Sequence, residues 1–302
     1  MSSDGGETTS PRPNFVLQLV KDLTELESST SGVRQVVEVA IAAKFLAVVL
    51  GTDWAIRKLT PQAKHDEWMQ NRLKPEGMSG IVWGHRVVRL ANAFHTLLQA
   101  HVKGFDILQQ RFHKRPTKPC FIETEIASLL TVNGFTVEII GESGVRGRDF
   151  DLSAHRDEIA LSIEVTGKEG MRLTANTIKN TLTGKRTQIP ATAPAILYMH
   201  VPANWMQNIP EAQGIFNQAF NDFFKRSHRF NAVFLVWEEV VPFSGGGNAQ
   251  MTLWPCYNNH PRHAFSRWDL LNLPNDSNGR PMHAYSFYDW LKGIQAKYRD
   301  KN

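Results

Sequence analysis

Near residue 120 the hydrophobic period of this chain changes, and a fold of a single secondary-structure class cannot accommodate that change. From Phe15 to Phe112 apolar residues recur at helical spacing, first Val16, Leu17, Leu19, Val20, Leu23 and Leu26 and later Val87, Leu90, Phe94, Leu97, Leu98 and Val102. From Phe121 the segment FIETEIASLLTVNGF reads as a helix stopped by Asn133-Gly134, and alternating β-branched segments follow it. The order is helix, strand (FTVEII), strand (DFDLSA), strand (IALSIEVTG), helix over about 175–188 and strand (AILYMHVP). A helix at 212–224, a strand AVFLVWEEVV, a turn through SGGGN into MTLWPCY and a helix at 285–298 complete the pattern. The fold class expected is therefore mixed α/β: a mixed sheet flanked by helices, preceded by an all-helical N-terminal domain of about four helices.

The expected division is a disordered tail at 1–13, a helical domain at 14–112, a basic linker at 113–119, an α/β domain at 120–270 and a C-terminal extension with a terminal helix at 271–302. The run QRFHKRPTKP at 110–119 carries four Lys/Arg, no acid and two prolines, and reads as an extended connector. Lys114 and Arg115 within it are candidates for phosphate contact.

Composition excludes more than it selects. A formal net charge of +5 permits an anionic partner without requiring one. The apolar run 33–50 is interrupted by Arg34, Glu38 and Lys44, which favours a buried helix over a membrane span. The two cysteines, Cys120 and Cys256, form no cluster with zinc spacing, so a reducing, cytoplasmic setting is the simpler expectation. His200, His260 and His263 are read as strand-end and loop residues, and not as metal ligands.

Three carboxylates fall where a cation site would need them. Glu123 is expected in the first turn of its helix, Asp151 on the second strand and Glu164 on the third. The separation 164 − 151 = 13 suits two strands joined by a tight turn, which sets those two side chains beside each other. Carboxylates so placed repel unless a hard, oxygen-loving cation such as Mg²⁺ or Mn²⁺ is bound.

These residues carry a resemblance. ETEIASLLTVNGFTV followed by DLSAHRDEIALSIEV is similar to the core of archaeal-type Holliday junction resolvases and restriction-endonuclease-like domains, within the PD-(D/E)XK nuclease superfamily. The resemblance covers about 119–202 and implies a nuclease-like domain at 120–270. By it, Glu123 matches the helix Glu, Asp151 the strand Asp and Glu164 the first residue of the Glu-X-Lys motif. It implies a Mg²⁺- or Mn²⁺-dependent phosphodiesterase, an endodeoxyribonuclease of restriction, repair or defence acting on DNA. Where the family has its lysine this chain has Thr166, which cannot carry charge. Lys168, two residues on, and Lys185, on the following helix, are the replacements available, and Lys168 is preferred. The same departure supports a second expectation, a nuclease-fold module that binds nucleic acid or a protein without cleaving.

Around this set, Gln188 is a candidate for orienting phosphate or water. Asp149 either substitutes for Asp151, supplements it or caps its loop, and Glu125 points away from the site as a solvated helix residue. Arg146 and Arg148 stand in a loop where Gly144 and Gly147 let backbone N–H groups approach a phosphate. DNA is the expected partner, with no membrane; a homodimer is left open.

Overall fold

The computed structural model describes residues 13–30, 33–59, 78–168, 172–243, 246–275, 282 and 284–299. Of the expected tail at 1–13 only Pro13 lies among them, opening the first helix, where its missing N–H leaves no bond unmade. The expected stop at 74–77 lies outside the described residues, as do the first two residues of the SGGGN turn.

Six helices precede the sheet among the described residues: α1 (Pro13–Ser29), α2 (Arg34–Leu50), α3 (Thr52–Leu59), α4 (Met78–Gln99), α5 (Phe105–Lys114) and α6 (Thr117–Val132). Then come β1 (Thr136–Ile139), β2 (Leu152–Arg156), β3 (Ile159–Gly167), α7 (Ala175–Lys185), β4 (Ala195–His200), α8 (Ile209–Phe224), β5 (Ala232–Phe243), β6 (Gly246–Tyr257) and α9 (Phe287–Arg299). The six strands form one mixed sheet whose spatial order is the chain order, β1 to β6. β3, β4 and β5 are parallel, and the other neighbouring pairs are antiparallel. The expected fold class holds.

The basic segment is not an extended connector. Residues 110–114 close α5 and residues 117–119 open α6, so only Arg115 and Pro116 interrupt the helices. Pro116 drives Arg115 out of helical geometry, to φ −117° and ψ 164°, and thereby makes a corner. Helices and sheet also share one core. A single apolar cluster runs from Leu19 and Phe45 through Phe94 and Phe112 to Phe121, Ile163 and Tyr198.

Alternation along the strands builds two cores on the two faces of the sheet. Leu161, Ile163 and Val165 of β3 face the helical cluster, whereas Leu197 and Met199 of β4 face α7 and α8. α8 buries Phe216, Phe220, Phe223 and Phe224 there, a stripe at helical spacing. α9 returns to α1, α2 and α4: Phe287 stacks on Phe45 with ring centroids 4.3 Å apart, and Ser286 Oγ caps the helix by accepting from the Asp289 N–H at 3.1 Å. No described helix is long and apolar enough to cross a membrane.

Two local devices position the site. The β2–β3 hairpin turns through two residues, Asp157 and Glu158, with Asp157 at a φ of +51° that an aspartate tolerates. That turn pairs Leu152 with Ile163 and so brings Asp151 opposite Glu164. At the other end, Gly104 has φ +77° and starts α5 against β1; a Cβ there would lie 2.4 Å from the Ile139 carbonyl oxygen.

Candidate active site

Asp151 sits immediately before β2, one residue outside the strand expected to carry it. Its N–H donates to the Ile163 carbonyl (3.1 Å), and its Oδ2 accepts from the Val165 N–H (2.8 Å). The side chain is thus anchored across the strand that bears Glu164. Glu164 is only 1% exposed, and Lys185 Nζ lies 2.5 Å from its Oε1. The second oxygen, Oε2, is buried without a hydrogen-bond partner. Burial, and then the Asp151 carboxylate beside it, push the Glu164 carboxyl up to about 8 against the pull of Lys185. A buried carboxylate with one oxygen unmatched is a group prepared for a further partner.

Glu123 is the seventh residue of α6 and not in its first turn, because the helix begins at Thr117. It is buried and ion-paired with Arg111 from the last turn of α5. Arg111 Nη1 also comes within 4.0 Å of Asp151 Oδ1, and its Nη2 donates to the Ile140 carbonyl. Arg111 therefore bridges Glu123 and Asp151. Its sequence signal was only membership of the basic run, so it went unassigned. Among the described residues no three His, Cys, Asp or Glu side chains converge as a cation cage. Asp151 and Glu164 offer the oxygen donors that Mg²⁺ or Mn²⁺ prefers, and the unmatched Oε2 fits that use, while Glu123 is engaged by the guanidinium.

Of the two lysines it is Lys185, in the final turn of α7, that meets Glu164, although Lys168 was preferred. Lys168 follows β3, donates its N–H to the His200 carbonyl (2.7 Å), and has its ammonium depressed by burial and then by nearby Lys185. Gln188 lies three residues beyond Lys185, its N–H bonded to the Lys185 carbonyl (3.0 Å). α7 ends before it, so Gln188 belongs to a half-buried turn at the site's edge.

Comparison with protein-family models, curated proteins and solved structures finds no match. What the site can do follows from its side chains. Two adjacent carboxylates, one of them buried, can take a proton or a hard cation, and an ammonium stands against them to meet an anionic group.

The rim is basic, but its backbone is already committed. Asp149 caps the loop, accepting from Ser143 N–H (2.6 Å), Ser143 Oγ (2.6 Å) and Gly144 N–H (3.1 Å). The Gly147 N–H donates to the Thr187 carbonyl (3.1 Å), so neither glycine N–H is open to a phosphate as expected. That same bond ties the loop of Arg146 and Arg148, both of them exposed, to the turn after Lys185. Arg115 pairs with Glu142 of the loop, and Lys114 is exposed at the end of α5.

Glu125 does point away from the site, but it is not solvated. It is 3% exposed and takes Arg89 in a two-pronged pair, both bonds 2.7 Å. Arg89 also reaches Glu238 of β5 (3.0 Å), which Arg86 grips at 3.0 and 2.8 Å. Burial works against ionising Glu238, yet Arg86 and Arg89 hold it down to about 2. This quartet fastens α4 to α6 and to β5. Of the histidines, His200 ends β4 and is buried, while His263 Nε2 bonds the Ala191 carbonyl (2.7 Å) in a loop.

Proposed function

We propose that this chain is a divalent-metal-dependent phosphodiesterase acting on nucleic acid, DNA foremost, built on the PD-(D/E)XK plan. The observation that carries the reading is the pairing of Asp151 and Glu164 across the β2–β3 hairpin, with Lys185 on Glu164 and one Glu164 oxygen unmatched. The order α6-β1-β2-β3-α7-β4, with β3 and β4 parallel, supports it as the arrangement the resemblance implies.

Asp151 and Glu164 are the residues that would hold Mg²⁺ or Mn²⁺, which when bound activates water and stabilises negative charge on a phosphodiester. Lys185 supplies the positive charge that Thr166 cannot, held by its bond to Glu164 where it meets a phosphate oxygen or the attacking water. Arg146, Arg148 and Lys114 attract the backbone of the nucleic acid without reading its sequence.

A second reading rests on Thr166 and on Arg111: a cluster whose charge the chain itself neutralises is stable without a cation, as in a module that binds and does not cut. One experiment separates the two. Plasmid and linear duplex DNA, and then RNA, are incubated with Mg²⁺ or Mn²⁺ and either wild type or Glu164→Ala. Metal-dependent cutting that vanishes in the variant is the result expected. Cutting that survives Glu164→Ala sinks the assignment of the site, and binding of either nucleic acid without cutting favours the module.

A further inference from the structure

Resting on the reading above, we propose that Arg111 is a resident counter-ion of the acidic site, which a divalent cation has to displace from Asp151 before that carboxylate and Glu164 can hold it together. Arg111 is 6% exposed and turned inward, so it is not presented to solvent or to a substrate in solution. Its contacts are graded. It is ion-paired with Glu123 and bonded to the Ile140 carbonyl, but its approach to Asp151 is a looser 4.0 Å. Glu123 and Ile140 are the anchor, and Asp151 is the partner Arg111 can release.

The acids Glu123, Asp151 and Glu164 face the cations Arg111 and Lys185. An unpartnered oxygen belongs to the same set, Glu164 Oε2, in a side chain almost wholly removed from solvent. Arg111 and Lys185 thus stand against the carboxylates, while Glu164 keeps one oxygen uncommitted. A guanidinium close to Asp151 repels an incoming divalent ion, and because the site is buried, solvent screens that repulsion poorly. Glu123 becomes a positioning residue: it holds the guanidinium, and it is not itself a ligand of the ion.

Mn²⁺ titration of the full-length chain by calorimetry, with no nucleic acid present, tests this apart from activity. The double variant Arg111→Met/Glu123→Gln removes the pair together and leaves no lone buried charge. It is expected to bind Mn²⁺ about tenfold tighter than wild type or more, as relief of one close repulsion at low dielectric implies. Arg111→Lys, which keeps the charge on Glu123 but shortens its reach, is expected to fall between the two. If both variants keep the wild-type circular dichroism spectrum and bind Mn²⁺ no tighter than wild type, the counter-ion role is overturned. Weaker binding overturns it too, and makes Glu123 a ligand. The nuclease reading fails separately, by cutting that persists in Glu164→Ala.

Discussion

Lys185 Nζ lies 2.5 Å from Glu164 Oε1, and the two residues belong to consecutive elements of one crossover, β3 and α7. A short, local stretch of chain thus builds the ammonium–carboxylate half of the site. Asp151 joins it through the two-residue turn of the β2–β3 hairpin. The absence of a lysine at position 166 does not leave the carboxylates without an ammonium.

On the phosphodiesterase reading proposed above, replacing that ammonium should be felt in catalysis. Lys185→Met is expected to lower Mn²⁺-dependent cleavage by about 10²–10³, the usual loss when one preorganised charge is removed from a reacting phosphate. Lys168→Met is expected to lower it by less than about tenfold, since no contact joins its ammonium to Asp151 or Glu164 among the described residues. Plasmid nicking rates for the two variants decide the matter, and a larger loss at Lys168 would hand the role back to it.

The pH dependence of stability has a definite sign. The Glu164 carboxyl is raised from 4.5 to about 8, chiefly by burial. A folded value above the unfolded one means that the protonated form favours the fold. That contribution is complete below about pH 4.5 and is lost as pH rises through about 8. Glu164→Gln mimics the protonated acid at every pH. In EDTA, its unfolding free energy relative to wild type should therefore improve by on the order of 4 kcal/mol between about pH 5 and pH 9. Urea melts at both ends of the range measure it, and a pH-independent difference would contradict the shift.

The buried quartet should show strong coupling. Arg89→Met removes the two-pronged cation from buried Glu125 and is expected to destabilise the protein by about 3–5 kcal/mol, whereas adding Glu125→Gln should recover a good part of that loss. A double-mutant cycle from denaturant unfolding gives the coupling directly. Additive losses would mean that the two side chains act independently despite their two 2.7 Å bonds.

At the seam of α5 and β1, Gly104→Ala meets two obstacles at once, a φ of +77° and a carbonyl oxygen 2.4 Å from the new Cβ. A loss of about 2 kcal/mol or more is expected, larger than a helix-start alanine incurs elsewhere. Because α5 carries Arg111, the affinity for Mn²⁺ should change along with the melting temperature. A variant that melts lower but binds Mn²⁺ as wild type does would show that the seam does not position Arg111.

Much of this was legible in the amino-acid order. The change of period near residue 120 announced the mixed sheet, and the HRDE turn with the 13-residue spacing put Asp151 beside Glu164. What escaped was whatever depends on packing between elements distant in sequence. Arg111 lies 12 residues from Glu123, across a helical corner that charge and proline content disguised as a linker. Glu125 looked solvated because a charged residue on a helix usually is, and its partners come from α4, 36 residues away, and through Arg89 from β5. The lysines shared the same limit: Lys168 is nearer to Glu164 along the chain, but the return of α7 over the sheet brings Lys185 nearer in space.

The coincidence of strand order with chain order bears on how the protein comes into being. As the polypeptide leaves the ribosome, each strand from β2 onward emerges to find its neighbour already made, and none has to insert between strands that have already paired. The sheet can grow by accretion at one open edge, with the β5–β6 hairpin closing last. In chain order the two carboxylates are complete at the third strand, two strands before the one that carries Glu238 to Arg86 and Arg89.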